Sequence, residues 1–413
     1  MSSAVKFKPA VEEILCKAGE GETITREEAL LLADVEGEEF SSLLRAAREL
    51  ADRHKGKTIT YSPKVFIPLT NLCRDYCGYC TFRKDPGDVG AKTLTPDEVL
   101  EVVNRGAELG CKEALFSLGD RPEALFAEAR EELRRLGFRR TLDYLAAVCR
   151  LVIEKSSLLP HSNPGLMGPR DLRRLREVNV SLGLMLESVS PRLLETGGAH
   201  DRAPDKVPSR RLRTLEEAGR LNIPFTTGIL IGIGETWTER VDSLLAIARL
   251  HRRYGHIQEV IIQNFRAKPT IPMRHRPDPT LEDFLRTIAV ARLILGGEMN
   301  LQAPPNLTPD TYPTLISAGI NDWGGISPLT QDYINPEAPW PHLRELYERT
   351  AGCGYQVRER LAIYPEYIAR KQMYLTPVLR PNVERLCGQD GYAKEEAAWT
   401  ADSQRGGRDA RVV

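Results

Sequence analysis

Val65-Phe66-Ile67-Pro68-Leu69 runs directly into Thr70-Asn71-Leu72-Cys73-Arg74-Asp75-Tyr76-Cys77-Gly78-Tyr79-Cys80. A short apolar run that breaks into a polar, Gly-containing loop reads as a buried strand delivering its C-terminal end to a site. The loop carries three cysteines spaced C-x3-C-x2-C. A polar, Gly-containing loop can wrap all three around one group.

Outward from this stretch the pattern repeats. Apolar runs at 65–69, 114–118, 157–160, 180–186, 225–231, 260–262, 300–302 and 320–323 alternate with amphipathic segments. Those segments lie at 96–109, in two pieces over 123–154, and at 169–178, 209–221, 237–254, 280–295 and 309–317. Buried strands alternating with helices predict right-handed βαβ units and a parallel sheet. The fold class expected is α/β, a (β/α)8 barrel of the TIM type. A doubly wound open sheet and an incomplete barrel are the alternatives. Residues 1–60 read as an N-terminal helical extension, with helices at 12–17 and 40–54 and a capping box at Thr25-Arg26-Glu27-Glu28. The barrel core is expected over 61–330. C-terminal helices follow over 331–387, at 341–351 and 355–361, with a disordered tail at 388–413.

Composition narrows the function. Among 413 residues, Lys+Arg and Asp+Glu both number 57, so the formal net charge is zero. That argues against nucleic acid or an anionic membrane as the main partner. No apolar run approaches the roughly 18 residues of a membrane span. The stretch Met1-Ser2-Ser3-Ala4-Val5-Lys6-Phe7-Lys8 lacks the apolar segment of a signal peptide. A cytoplasmic protein is expected. Cys16, Cys111, Cys149, Cys353 and Cys387 stand alone and are expected to be small buried hydrophobes rather than a disulfide framework.

Thiolates bind zinc or iron–sulfur clusters. A structural zinc site wants four ligands, and no second cysteine pair exists in this sequence. Three ligands leave a coordination position open, as catalytic metal sites do. In barrels, chemistry gathers at the C-terminal strand ends. The predicted ends here carry Gly119 and Asp120, then His161, Ser162 and Asn163, then Glu187, then Gly232 and Glu235. Gln263 and Asn264, Gln302 and Asn306, and Asp322 with Trp323 complete the set. A zinc-stabilised scaffold or an electron carrier is the reading from another class.

The loop, with Tyr79 as the aromatic of C-x3-C-x-aromatic-C, resembles the signature of radical S-adenosylmethionine (SAM) enzymes. The resemblance extends over most of residues 20–370. Ser62 to Arg83, Phe116-Ser117-Leu118-Gly119-Asp120-Arg121-Pro122-Glu123, His161-Ser162-Asn163-Pro164-Gly165, Gln302-Ala303-Pro304-Pro305-Asn306-Leu307, Asn321-Asp322-Trp323-Gly324-Gly325 and Arg360-Leu361-Ala362-Ile363-Tyr364-Pro365 are similar to the CofG-type subunits of 7,8-didemethyl-8-hydroxy-5-deazariboflavin (FO) synthase.

The resemblance implies a 4Fe-4S cluster on Cys73, Cys77 and Cys80, with SAM chelating the open iron. Cofactor contacts implied by it are Tyr79, Gly119, Asp120, Ser162, Asn163, Glu187, Gly228, Ile229, Gly232 and Glu235. Leu118-Gly119-Asp120 replaces the family's Gly-Gly-Glu, and Gly228 to Glu235 matches a strand that meets adenine through its backbone. His161 and Asp322 are candidate proton carriers. Gln263, Asn264, Gln302, Asn306 and Trp323 are candidate substrate contacts. The implied reaction is radical cyclisation, with ammonia loss, of a tyrosine-derived 5-amino-6-(D-ribitylamino)uracil adduct to FO, in coenzyme F420 biosynthesis. The implied partners are a CofH-type radical SAM subunit, or its diffusible product, and reduced ferredoxin or flavodoxin as electron donor. Another radical SAM step of the same subfamily, CofH-type or from the menaquinone pathway, is the alternative.

Overall fold

A computed structural model describes residues 9–394. Eight parallel strands close into a barrel: β1 Thr58–Pro68, β2 Glu113–Ser117, β3 Leu159–Asn163, β4 Ser181–Gly183, β5 Phe225–Ile231, β6 Ile257–Asn264, β7 Leu301–Gln302 and β8 Asp322–Ile326. Neighbours follow chain order, and β1 pairs with both β2 and β8 to complete the ring. Outside the strands run α1 Pro9–Gly19, α2 Arg26–Leu31, α3 Gly37–Lys55, α4 Pro96–Glu108, α5 Ala127–Arg135, α6 Thr141–Lys155, α7 Pro169–Arg176, α8 Pro208–Arg220, α9 Trp237–Tyr254, α10 Leu281–Leu295 and α11 Leu343–Gly352. The open-sheet alternative is thereby excluded.

Alternation along β1 shows how the sequence builds this wall. Ile59, Tyr61, Val65 and Ile67 face the helices and join the apolar clusters there. Thr60, Ser62 and Lys64 bond or face groups inside the ring. At the N-terminal end the capping box forms as read. Thr25 Oγ1 accepts from Glu28 N at 3.2 Å, and Glu28 Oε2 accepts from Thr25 N at 2.6 Å. Helix α3 lays Leu43, Ala47 and Leu50 against the shell around α10.

Several boundaries differ from the sequence expectation. β3 runs Leu159–Asn163 rather than 157–160, and β8 runs Asp322–Ile326 rather than 320–323. The expected helix at 309–317 is a 3-10 helix, Tyr312–Ala318. Residues 355–361, expected helical, hold a ninth strand, β9 Gln356–Glu359, which pairs with Thr58–Tyr61 of β1. Alternation of Val357 with polar neighbours suits a strand, and the edge left open by β1 below β2 supplies its partner. Of the expected tail, residues up to 394 are described. Cys387 bridges Ala393, and Ala393 N donates to Glu359 O at 3.1 Å. Residues 395–413 lie outside the described residues. Cys16 and Cys353 are exposed, against expectation, while Cys111 and Cys149 are buried. No helix of the described residues is long and apolar enough to cross a membrane.

After β9 the chain passes beneath the barrel. Arg360 grips Asp322 with Nε at 2.6 Å and Nη2 at 2.9 Å, and Nη2 also reaches Glu259 Oε1 at 3.1 Å. Thr60 donates to Asp322, Thr226 donates to Glu259 at 2.9 Å, and Ser181 donates to the Ala362 carbonyl. This is a buried charge network, and it closes the end of the barrel opposite the cysteines. Removing one partner of such a network strands the others and costs about 3–5 kcal/mol. Arg360→Leu is expected to lower the urea midpoint accordingly. Adding Asp322→Asn and Glu259→Gln should recover at least half of that loss, measured on anaerobically purified protein.

Candidate active site

The cysteine loop leaves β1 and is pinned by backbone bonds on both sides. Tyr76 N donates to Arg202 O at 2.9 Å and Gly78 N to Ala199 O at 2.8 Å. Gly119 N donates to Thr70 O at 2.8 Å. A Cβ on Gly119 would lie 1.9 Å from Leu72 O, so only glycine lets the loop cross the end of β2. Cys73 Sγ accepts from Asp75 N at 3.4 Å and from Asp120 N at 3.2 Å. Burial raises the Cys73 thiol well above its usual range, and Asp75 and the other two thiols add to the rise. Burial pushes Cys77 up to about 12, against the pull of Lys206. Thiolates crowded like this need a cation among them. The other five cysteines are placed elsewhere, Cys111 on the Lys64 carbonyl and Cys149 between Ser162 and Asn179. The donor set is therefore three thiols with amide N–H groups aimed at sulphur, which fits a cluster ligated by three cysteines.

Asp205, fully buried, holds the loop from below. Its carboxylate takes Arg74 Nε at 2.5 Å and Nη2 at 2.7 Å, and also binds Arg121. Its own N–H donates to Asp75 Oδ1 at 3.0 Å. Asp120 completes a trio of carboxylates within 4.8 Å of one another. Burial and the neighbouring carboxylates raise Asp75 and Asp120, and the arginines oppose this. The trio is a clasp neutralised by arginine. Asp120's oxygens are already taken by Leu166 N at 2.9 Å and Arg121 Nε at 3.1 Å. Its N–H donates to Cys73 Sγ at 3.2 Å and its carbonyl accepts from Arg74 N at 3.2 Å, so side chain and backbone together fix Asp120 beside the cysteine loop.

Beside Cys77 stands a second group. Glu187 has φ +64°, so its backbone turns inward between β4 and β5, and its N–H donates to Gly228 O at 3.1 Å. Glu187 Oε1 accepts from Lys206 Nζ at 2.7 Å. Tyr79 Oη and His200 Nε2 are 3.1 Å apart, with the rings edge to face. Burial, Lys206 and Arg211 drive His200 down to about 2, so its imidazole is neutral.

Other expected residues fall differently. Because β3 starts at 159, Ser162 points outward, fully buried, donating to Asn179 Oδ1 at 2.7 Å, and is no cofactor contact. Glu235 accepts from Gly232 N at 2.8 Å, Ile233 N at 2.9 Å and Arg240 Nε at 2.7 Å, so it closes its own turn rather than meeting a ligand. Ile229 packs into the helix-side core, leaving only its backbone to the site. Trp323 is fully buried against Tyr312, with Nε1 donating to Thr350 Oγ1 at 3.2 Å, which removes it from the substrate contacts. Asp322 belongs to the barrel floor, locked by Arg360, and is not free to carry protons.

His161 sits in mid-strand with Nδ1 2.6 Å from Ser181 Oγ. That hydroxyl gives its proton to Ala362 O, so His161 Nδ1 donates and Nε2 is the bare nitrogen. Nε2 lies 3.1 Å from where a Cβ on Gly183 would be.

Asn163, Gln263 and Gln302 make no side-chain hydrogen bond among the described residues. Gln302 crosses over Gly324, which has φ +78° and no room for a Cβ. Asn264 Oδ1 and Asn306 Oδ1 are buried without a partner. Sequence reading missed Asp205, His200, Lys206 and Lys64. Lys64 alone left a signal, as the charged residue of the Thr60, Ser62, Lys64 alternation in an otherwise apolar strand.

Burial holds His161 down to about 4, while an unfolded histidine titrates near 6.5. Between these values only the unfolded chain takes up the proton, so the contribution of neutral His161 is complete above about pH 6.5 and fades toward 4. The drop in urea midpoint between pH 7 and pH 5 is expected to shrink in His161→Gln. An unchanged drop would place His161 outside the buried set.

The Radical SAM superfamily description matches residues 67–247. The 7,8-didemethyl-8-hydroxy-5-deazariboflavin synthase of Methanopyrus kandleri is 52% identical over 336 residues, covering 81% of this chain and 100% of the relative. The FO synthases of Mycobacterium tuberculosis and Streptomyces coelicolor are 49% and 47% identical, covering 91% and 94% of this chain. The chain spans 46% of each of these two, about half their length. Among solved structures, the FeFe-hydrogenase maturase HydG of Carboxydothermus hydrogenoformans superposes with TM-score 0.69 at 20% identity, covering 91% of this chain and 88% of that one. Methylornithine synthase superposes with TM-score 0.65 at 19% identity, covering 83% and 97%. These two share the fold. By its identity to the archaeal relative across that relative's whole length, and by its three-cysteine strand end, the chain belongs to the 7,8-didemethyl-8-hydroxy-5-deazariboflavin synthase family of the radical SAM superfamily.

Proposed function

We propose that this chain is the cyclising half of FO synthesis. It converts the tyrosine-derived adduct of 5-amino-6-(D-ribitylamino)uracil to FO with loss of ammonia. The observation that carries the reading is the 52% identity to the Methanopyrus kandleri synthase over its full length. Cys73, Cys77 and Cys80 hold the 4Fe-4S cluster. With SAM bound beside it, the cluster supplies the one-electron cleavage that yields methionine and a 5′-deoxyadenosyl radical. The chain's own residues orient and enclose. Tyr79, Glu187, Asn163 and Asp120, with the backbone at Gly119, Gly228, Ile229 and Gly232, line the cofactor side. Gln263, Gln302, Asn264 and Asn306 offer amides to the uracil edge and the ribityl hydroxyls. Buried amides left unpaired are costly, and a ligand that pairs them gains specificity as well as affinity.

The FO synthases, about twice as long, support a separate partner here. A CofH-type subunit or its diffusible product supplies the adduct, and a reduced ferredoxin or flavodoxin supplies the electron, in the cytoplasm. Incubating the anaerobic, reduced protein with SAM and the adduct should give fluorescent FO and one ammonia per FO. Cys77→Ala should lose the brown colour and release no deoxyadenosine. A protein with an intact cluster that cleaves SAM yet leaves the adduct unchanged would overturn the reading. It would then favour another step of the subfamily.

A further inference from the structure

Lys64 is buried on the inner side of β1, directly across from Glu113 of β2 in the parallel register. At about 3.3 Å per residue it lies roughly 13 Å below Pro68, where the strand ends and the cysteine loop begins. Its stem fills the space that Gly325 leaves open. A Cβ there would come within 2.3 Å of Lys64 Cδ and 2.8 Å of Nζ. Nζ lies 4.5 Å from the Trp340 ring centroid and 5.5 Å from that of Phe66. Both rings flank the amine, and Tyr333 packs on Phe66 at 5.5 Å.

Charged groups face Lys64 from every side, yet each is already engaged. Glu113 accepts from Ser62 at 2.5 Å. Glu259 on β6 is held by Thr226 and Arg360. Asp332 accepts from Ile334 N at 2.9 Å and from the side-chain amides of Asn306 and Asn335 at 3.0 Å. Arg360 and His161 add positive charge or none. No carboxylate oxygen comes within 4.0 Å of Lys64 Nζ, and Nζ makes no hydrogen bond among the described residues. The other two buried lysines among the described residues each have a partner, Lys112 with Glu359 at 2.7 Å and Lys268 with Asn335 at 2.7 Å. A buried lysine faced by the Trp340 and Phe66 rings but with no carboxylate or hydrogen-bond partner is expensive for a fold, and such groups gather where chemistry is done. Burial lowers its pKa from the usual lysine range, and Glu113, Asp332 and Glu259 oppose that only in part. That direction makes the amine easier to deprotonate than an ordinary lysine, as a base requires.

Resting on the cyclisation reading above, we propose that Lys64 is the proton-transfer residue of the substrate chamber, in direct contact with the adduct. The neutral amine takes a proton from the carbon next to the one bearing the departing nitrogen. The C–H pair becomes the new C=C bond, and the C–N pair leaves with nitrogen. The Lys64 ammonium returns the proton to that nitrogen, releasing ammonia. Lysine ends as it began, and this step consumes no oxidant. Lys64 takes the place in proton transfer that the sequence suggested for Asp322.

The experiment compares wild type with Lys64→Met, Lys64→Arg and Lys64→Ala, reading iron content, deoxyadenosine release and FO formation separately. Lys64→Met replaces the buried amine with an apolar side chain of similar volume, so the fold and cluster should be retained. Its deoxyadenosine release should fall less than threefold while FO and ammonia fall at least 100-fold. Lys64→Arg should not restore FO, and added methylamine should restore part of it in Lys64→Ala. FO formation by Lys64→Met within threefold of wild type would overturn the proposal, as would equal losses of deoxyadenosine and FO with full iron content. Failure of the wild type itself to convert the adduct would instead sink the functional reading, and this proposal with it.

Discussion

The Asp205 carboxylate, sealed from water between Arg74 and Arg121, is the contact on which the site depends. A loop carrying three thiols at the mouth of a barrel has no regular backbone pairing of its own. It must be held by side chains, and Asp205 does this from a segment more than a hundred residues downstream. Its N–H fixes Asp75, its oxygens fix Arg74, and Arg121 carries the same clamp to Asp120 at the end of β2. Salt bridges at a surface contribute little. Here one partner is fully buried and both arginines are partly shielded, so geometry is preserved at the position where it matters.

The barrel interior divides into two electrostatic zones. At the floor, Arg360, Asp322, Glu259, Thr60 and Thr226 satisfy one another, and the segment after β9 seals them. Above the floor, Lys64, Gln263, Gln302 and Asn163 are left with unused donors and acceptors. Polar groups inside a barrel are either closed networks or vacancies for a ligand, because isolated ones cost too much to bury. The loop from 327 to 340 walls this upper zone. Thr330 caps Phe66 N at 2.8 Å, and the Ile334 carbonyl takes Thr81 and Lys268.

Much of this was legible in the chain. The period of the apolar runs marks eight strands, and β5 at 225–231 agrees to the residue. The spacing of Cys73, Cys77 and Cys80 marks the loop. What failed was where strands end. Ending the third strand at Pro160 rather than Asn163 put His161 to Asn163 together past the strand end, where the alternation of side chains no longer applies. Within the strand, Ser162 faces the helices instead. Treating Asp322 as the end of β8 rather than its beginning moved it from floor to mouth. Strand β9 was misread because Gln356–Glu359 is only four residues long, with one apolar side chain to mark its alternation. Its partner edge on β1 becomes evident only once the barrel closes. Asp205 and His200 carry no local signal, since their roles come from contacts across long sequence separation.

On the reading proposed above, the cysteine loop and the polar groups above the barrel floor act on one substrate. The direct measurement uses adduct deuterated in its tyrosine-derived portion, with mass analysis of the 5′-deoxyadenosine released. The account predicts deuterium in deoxyadenosine, in proportion to the FO formed. Unlabelled deoxyadenosine alongside deuterated, unconverted adduct would contradict it.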